Sequence, residues 1–353
     1  MDKRVRILQV GVGARGKKWA RILNEEPLAE IVGYVDLNID NLEWVKDSYN
    51  AGSTICYTDM ETALKEVQPE LVLLVTPPMD RYREVMTIFE HGVHIFSEKP
   101  LSIDFEEGMK MVRASEEAKL GFAVGLNFRY QHSVVAAREI IKSGEIGAPR
   151  YAGYNYWRNR DGYAPTANRY PLFLHQAMLY DQTIHHFDQI RFVYDAEVES
   201  VMSYASNPPW SMYESDATIT TFLQMTGGLE VHYFGTWSGQ TKFNQFMWRT
   251  DCDNGSLFQY DLFADLRIVR GNDSDVMEKI DLPYQETLVD DARIMLHNAL
   301  TQIKDGNINP EPTGVDHLKT FAVAAACEES SKTNKPVKMT DFYDMHNVPE
   351  EWR

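Results

Sequence analysis

Val5-Arg6-Ile7-Leu8-Gln9-Val10 runs directly into Gly11-Val12-Gly13-Ala14-Arg15-Gly16, and this stretch decides the fold. A short apolar run reads as a buried strand, and Ala14 to Asn24 carries apolar residues at helical spacing. The glycines therefore sit in a strand-to-helix turn. In that setting each has a task. Gly11 makes the tight turn, Gly13 lets a pyrophosphate approach the backbone, and Gly16 permits close helix-strand packing. The helix N-terminus, with its unpaired N–H groups, faces the phosphates. A second apolar run ends in Asp36, twenty residues beyond Gly16, where a carboxylate accepts hydrogen bonds from a ribose and repels a 2'-phosphate. Leu37-Asn38 brings no arginine for such a phosphate, and Arg15 is the one cation in the loop. NAD is expected in preference to NADP, with Gly11, Gly13, Ala14, Arg15, Gly16, Asp36 and Leu37 as contacts.

Working outward, strands read near Val5 to Val10, Ile31 to Asp36, Leu71 to Thr76, His94 to Ser97 and Gly121 to Gly125, with a weaker one at Thr54 to Tyr57. Helical spacing over Ala14 to Asn24, Asn38 to Ser48, Asp59 to Glu66, Asp80 to Glu90 and Asp104 to Lys119 supplies the crossovers. Such alternation predicts an α/β fold, a doubly wound parallel Rossmann sheet with its ligand crevice at the strands' carboxyl ends. This first domain is expected over residues 1–126.

Beyond Asn127 the pattern changes. A helix-like run reaches Ile141, Lys142-Ser143-Gly144-Glu145 turns, and strands read at Tyr151 to Trp157, Glu199 to Tyr204, Ala217 to Gln224, Leu229 to Trp237 and Leu266 to Arg270, before an Ala-rich helix over Val315 to Lys332. Residues 127–353 are thus expected to form an α+β domain with a large, mostly antiparallel open sheet. One open sheet face predicts packing on another copy, as a homodimer or homotetramer.

Bulk properties narrow the function classes. With 44 % apolar and 25 % charged residues the chain is ordinary for a folded protein. Its formal net charge of -17 opposes a nucleic-acid partner, which needs clustered Lys and Arg. No window approaches the ~20 apolar residues of a membrane span, and no apolar run of signal-peptide length stands near Met1. Cys56, Cys252 and Cys327 lie far apart, without disulfide or zinc spacing, so a cytoplasmic location is expected.

Two further stretches point to chemistry: Thr76-Pro77-Pro78 with Gly92-Val93-His94-Ile95-Phe96-Ser97-Glu98-Lys99-Pro100, and Asp181-Gln182-Thr183-Ile184-His185-His186-Phe187-Asp188. With the glycine loop they resemble the glucose-fructose oxidoreductase and inositol dehydrogenase family of NAD(P)-dependent sugar and polyol dehydrogenases. That resemblance extends over nearly the whole chain. It implies a catalytic set of Lys99, Asp181 and His185 facing the nicotinamide. Glu98 and Pro100 then shape the loop, and Thr76, Pro77 and Asn127 lie near the cofactor.

Oxidising a secondary alcohol requires a base beside the hydroxyl. His185 is preferred for that role, Lys99 favours the developing alkoxide, and Asp181, four residues before His185, shares its helix face. Asp188 stands one turn further on. The spacing from Asp181 selects His185 over His186, and no metal is expected, since this chemistry needs none.

The chain departs from the resemblance at His175-Gln176-Ala177 and Thr183, where glycines are common, and at Tyr82, where a histidine is common. A pocket wall is expected from Tyr154 to Arg158 and the aromatic loop Tyr163 to Phe173, with Trp157, Arg158 and His175 as substrate contacts; for each aromatic, sheet packing is the competing role. The leading expectation is a dehydrogenase for a sugar, cyclic polyol or related carbohydrate. The competitors are a glycosidase that oxidises its sugar transiently, and a non-catalytic dinucleotide-binding regulatory protein.

Overall fold

A computed structural model describes residues 4–49, 55–164 and 167–353. Thr54 of the weak strand, and residues 165 and 166 of the aromatic loop, lie outside them. The chain divides into two units: one takes residues up to Asn127 together with Leu288–Leu318, the other Phe128–Thr287 together with Lys319–Arg353.

In the first unit β1 (Val5–Val10), α1 (Ala14–Glu25), β2 (Ala29–Val35), α2 (Ile39–Tyr49), β3 (Cys56–Tyr57), α3 (Met60–Val67), β4 (Leu71–Leu74), α4 (Arg81–Glu90), β5 (His94–Ser97), α5 (Phe105–Ala118) and β6 (Phe122–Val124) alternate as the apolar periodicity requires. The strands pair in the order β3-β2-β1-β4-β5-β6, and their pairings are parallel. The order reverses between β1 and β4, which is where a crevice opens at the carboxyl ends. Every residue of β4 is buried, as expected of a strand covered on both faces. Asp59 and Asp104 cap α3 and α5, each accepting from a backbone N–H three residues on.

Leu288–Leu318 groups with the first unit, whereas the expected division gives everything after residue 126 to the second domain. This segment holds α8 (Asp290–Lys304) and a stretch lying along β6: Val124 N donates to Pro312 O at 2.8 Å, and Ala123 bridges to Thr313. Gly121 is required there, because a Cβ would stand 1.7 Å from Ile308 O.

The second unit contains α6 (His132–Ser143), β7 (Pro149–Trp157), α7 (Ile184–Tyr194), β8 (Val198–Ser206), β9 (Thr218–Met225), β10 (Glu230–Thr236), β11 (Gln245–Cys252), β12 (Gly255–Asp261), β13 (Ala264–Arg270), β14 (Glu278–Lys279), most of α9 (Gly314–Thr333), β15 (Val337–Lys338) and α10 (Met339–Met345). Its nine-stranded sheet has the order β14-β13-β12-β11-β7-β10-β9-β8-β15. β7 and β10 pair in parallel, the other neighbours antiparallel. One face is buried through Tyr154, Tyr156, Leu223, Tyr233 and Trp248. α7 covers it at Phe187, whose ring meets Tyr233 at 5.2 Å, and α9 at Cys327, beneath Thr221. The alternate side chains stand on the open face, among them Trp157, Phe222 and Tyr260.

Candidate active site

The glycine loop fits a dinucleotide. Gly11 has φ +92°, and a Cβ there would meet Val75 O at 2.6 Å; a Cβ on Gly16 would stand 2.3 Å from Gly11 O. Both are dictated by the protein's own packing. Around Gly13 nothing lies within 4 Å of the Cβ position, so its bareness serves no internal contact and leaves a cradle at the start of α1. Asp36, at the tip of β2, accepts from Val12 N at 2.6 Å, Asn38 N at 2.8 Å and Asn41 Nδ2 at 3.2 Å. These bonds hold the carboxylate beside the loop with acceptor capacity to spare, while Leu37 projects into solvent at 92 % exposure.

Arg15 turns elsewhere. Its Nε donates to Glu98 Oε1 at 2.7 Å and its Nη1 to Leu288 O at 2.8 Å, with the guanidinium 5.0 Å from the Trp19 ring. The one cation of the loop is therefore committed away from Asp36, which fits NAD better than its 2'-phosphate. Trp19 Nε1 also donates to Glu98, at 2.7 Å. Burial alone would raise the Glu98 carboxyl, but the charges of Arg15 and Lys99 and these hydrogen bonds hold it below the usual range.

Lys99, half-buried, follows β5 in a loop whose Lys99–Pro100 peptide is cis. The residue organising this loop is Arg81, in the first turn of α4. It is 1 % exposed, and its guanidinium donates to the carbonyls of Thr76, Glu98 and Pro100. One side chain thus joins the Thr-Pro turn after β4 to the Glu-Lys-Pro turn after β5. Thr76 is fixed again by its hydroxyl, which donates to Glu84. Asn127 Nδ2 donates to Asp291 Oδ2 at 2.7 Å. Burial raises the Asp291 carboxyl, against the lowering effect of Arg15 and Asn127. Arg81 and Asp291 are absent from the sequence reading. Arg81 carries no motif, whereas Asp291, next to Asp290 ahead of an apolar helical repeat, has the signature of a helix start.

In the second unit Asp181 and His185 come from adjoining but different helical geometries. Met178–Thr183 is a π-helical turn and α7 begins at Ile184, so the four-residue α spacing expected between them is interrupted. A π turn widens the helix locally and re-aims its side chains, which is why such turns recur at functional sites. Asp181 accepts from Tyr170 OH at 2.6 Å. His185, 6 % exposed, stacks on Phe128 with ring centroids 4.0 Å apart.

His186 is wholly buried. Gln182 Nε2 donates to its Nε2 at 2.9 Å, which leaves Nδ1–H to donate to Tyr233 OH at 2.8 Å. Burial pushes its pKa down to about 3, so it stays neutral and structural. Asp188 is also structural, since Arg129 Nε donates to it at 2.6 Å and Thr320 Oγ1 at 3.3 Å.

The remaining expected contacts scatter. Trp157 stands on the open face against Phe234, ring centroids 4.3 Å apart, in sheet packing. Arg158, one residue on, reaches Tyr156 OH at 3.3 Å on the covered face. His175 Nε2 bonds Glu328 Oε1 at 2.7 Å, in a cluster with Tyr180 and Lys332 rather than with His185. Burial would raise the Glu328 carboxyl, but bonds from Lys332, Tyr180 and His175 hold it low.

Comparison with known proteins agrees with this architecture. Residues 5–126 match the model of the oxidoreductase family with an NAD-binding Rossmann fold, and residues 134–258 match the GFO/IDH/MocA C-terminal domain. The scyllo-inositol 2-dehydrogenase (NAD(+)) of Bacillus subtilis is 27 % identical over 65 % of this chain and 66 % of its own. The 2,7-anhydro-N-acetylneuraminate hydratase of Mediterraneibacter gnavus is 29 % identical over 43 % of this chain and 40 % of its own. An Agrobacterium radiobacter oxidoreductase, solved with NAD+, L-tartaric acid and magnesium, superposes with a TM-score of 0.86 at 18 % identity, covering 96 % of this chain and 99 % of its own. With both family models together spanning most of its length, the chain belongs to the GFO/IDH/MocA family of NAD-binding oxidoreductases.

Proposed function

We propose that the protein is an NAD-dependent dehydrogenase that oxidises a secondary alcohol of a sugar, cyclic polyol or related carbohydrate in the cytoplasm. The observation that carries this reading is the Lys99 loop. In the strand order β1-β4-β5, the Glu-Lys-Pro turn follows β5 two strands from the glycine loop, at the sheet edge where the crevice opens. Arg81 holds that turn by the Glu98 and Pro100 carbonyls and ties it to Thr76, so a cation is held ready for charge that develops there. When bound, the nicotinamide supplies the hydride acceptor.

The protein's own groups supply the rest. His185 takes the hydroxyl proton, Lys99 stabilises the alkoxide, and Asp181 orients a substrate hydroxyl. Gln182 and Tyr233 occupy both ring nitrogens of the buried His186 and keep it out of this chemistry. Relatives named for inositol oxidation support the substrate class. A transient oxidation without net turnover is the second reading, supported by the hydratase among the relatives.

The test is a screen of polyols and aldoses with NAD and NADP, following reduced-cofactor absorbance. Accumulating NADH is expected, and His185→Asn or Lys99→Met should lower kcat by about 100- to 10 000-fold while NAD binding persists. A product released with no NADH would favour the second reading. A Lys99→Met variant with unaltered turnover would refute the assignment.

A further inference from the structure

A cavity of about 190 Å³ lies in the second unit, at the end of the sheet where β7 and β10 both finish. Its lining includes Asn159, Arg160, Trp210, Tyr213, Trp237 and Gln240. It is a built site. The Arg160 guanidinium lies 4.5 Å from the Trp237 ring centroid, and its Nη1 donates to Tyr213 OH at 3.0 Å. Tyr213 OH in turn donates to Arg160 O, and Trp210 Nε1 to Ser238 O. The planar cation is thus stacked and aimed before any ligand arrives.

Two observations specify what it awaits. First, neither Arg160 nor its neighbour Arg158 pairs with a carboxylate among the described residues: Arg160 bonds only Tyr213 and Asn168 O, and Arg158 only Tyr156 OH. Acids are not scarce, since the chain holds 52 against 35 Lys and Arg. Elsewhere in the same unit Arg129, Arg150, Arg191, Arg249, Arg267 and Arg270 each have an acidic partner. Second, the Arg160 guanidinium carries five N–H donors and, among the described residues, commits two of them, to Tyr213 OH and Asn168 O. A half-buried cation with donors to spare therefore lines one small cavity.

We propose that this cavity is a carboxylate subsite, and that the substrate is a sugar acid held by Arg160 with Arg158 beside it. A carboxylate matches the guanidinium fork, and its oxygens would satisfy the donors that the fold leaves open. Tyr213 feels the charges of Arg160, Asp181 and Arg158 together, with burial the dominant influence on its hydroxyl. A bound acid would then present a ring hydroxyl toward Asp181. Naming the substrate class in this way rests on the dehydrogenase reading, but binding at the cavity does not.

The full chain with saturating NAD is offered matched sets: glucose, glucuronate and glucose 6-phosphate, with the galactose counterparts. Reduced cofactor is followed, and in parallel ligand binding is measured by tryptophan fluorescence. The acid is expected to exceed its neutral parent by about 10- to 100-fold in kcat/KM and in affinity. Arg160→Met should collapse that ratio toward one, and Arg160→Lys should restore part of it. Equal handling of acid and parent, a preference for the phosphate, or a ratio untouched by Arg160→Met would overturn the subsite. Acid binding that depends on Arg160 but yields no NADH with any compound would uphold it and refute the dehydrogenase. NADH formed from neutral polyols with no acid preference would do the reverse.

Discussion

His185 and His186 are adjacent in sequence and opposite in setting. His185 lies against Phe128 beside the π turn, whereas His186 is sealed between Gln182 and Tyr233. His186 titrates near 6.5 when unfolded and near 3 when folded, so the unfolded chain takes up its proton first. Its contribution to stability is complete above pH 6.5 and is lost as pH falls toward 3, at up to about 1.4 kcal/mol per pH unit. His186→Asn keeps a donor and an acceptor but does not titrate. Urea unfolding at a series of pH values should show a shallower acid limb for that variant than for the parent; identical limbs would contradict the burial argument. Asp36 yields a second expectation at this scale. With Arg15 committed to Glu98, Asp36→Arg should move the kcat/KM ratio from NAD toward NADP by at least about tenfold, about 1.4 kcal/mol. An unchanged ratio would remove Asp36 from ribose recognition.

Among the elements, the β1-loop-α1 unit separates glycines that the protein's own packing requires from one that it does not. Gly16→Ala forces a Cβ onto Gly11 O and should cost about 1–3 kcal/mol in unfolding. Gly13→Ala meets nothing within 4 Å and should leave unfolding nearly unchanged, while weakening NAD binding measured by calorimetry by about tenfold or more, some 1.4 kcal/mol. Equal loss of stability in both variants would show that Gly13 is structural too. These elements were legible because strand, turn and helix each left a pattern within a few residues. β11 and β12 left a poorer one. Their inward faces carry Thr250, bonded to Tyr194, and Gln259, bonded to Ser133 and Leu262 O, while Phe258 and Tyr260 face outward, so the polarity alternation is partly inverted. α8 repeats apolar residues at Ala292, Met295, Leu296, Ala299 and Leu300, and that periodicity was available to find it. The π turn before α7 has no such signal. It depends on what Met178–Thr183 packs against.

For the whole molecule, the parallel sheet and the mostly antiparallel sheet followed from local periodicity, but the parallel pairing of β7 with β10 and the placing of Leu288–Leu318 in the first unit are products of long-range contacts. The same limit applies to the open face of the nine-stranded sheet. Strand alternation places Tyr151, Trp157, Tyr204, Phe222 and Tyr260 there, 38–55 % exposed within one chain. Phe222 stacks on His232 across β9 and β10, and Phe258 lies parallel to Tyr260, so the aromatics form patches rather than isolated side chains. Aromatic side chains gathered on one sheet face suit burial against a second copy, which presents the same surface in return. Sedimentation equilibrium at micromolar concentration is therefore expected to give at least twice the 40.6 kDa of one chain. Phe222→Glu, placed on the open face and outside the buried core, should drive the protein toward the single-chain mass without lowering the urea midpoint of the isolated chain. A parent protein that sediments as one chain would overturn this expectation.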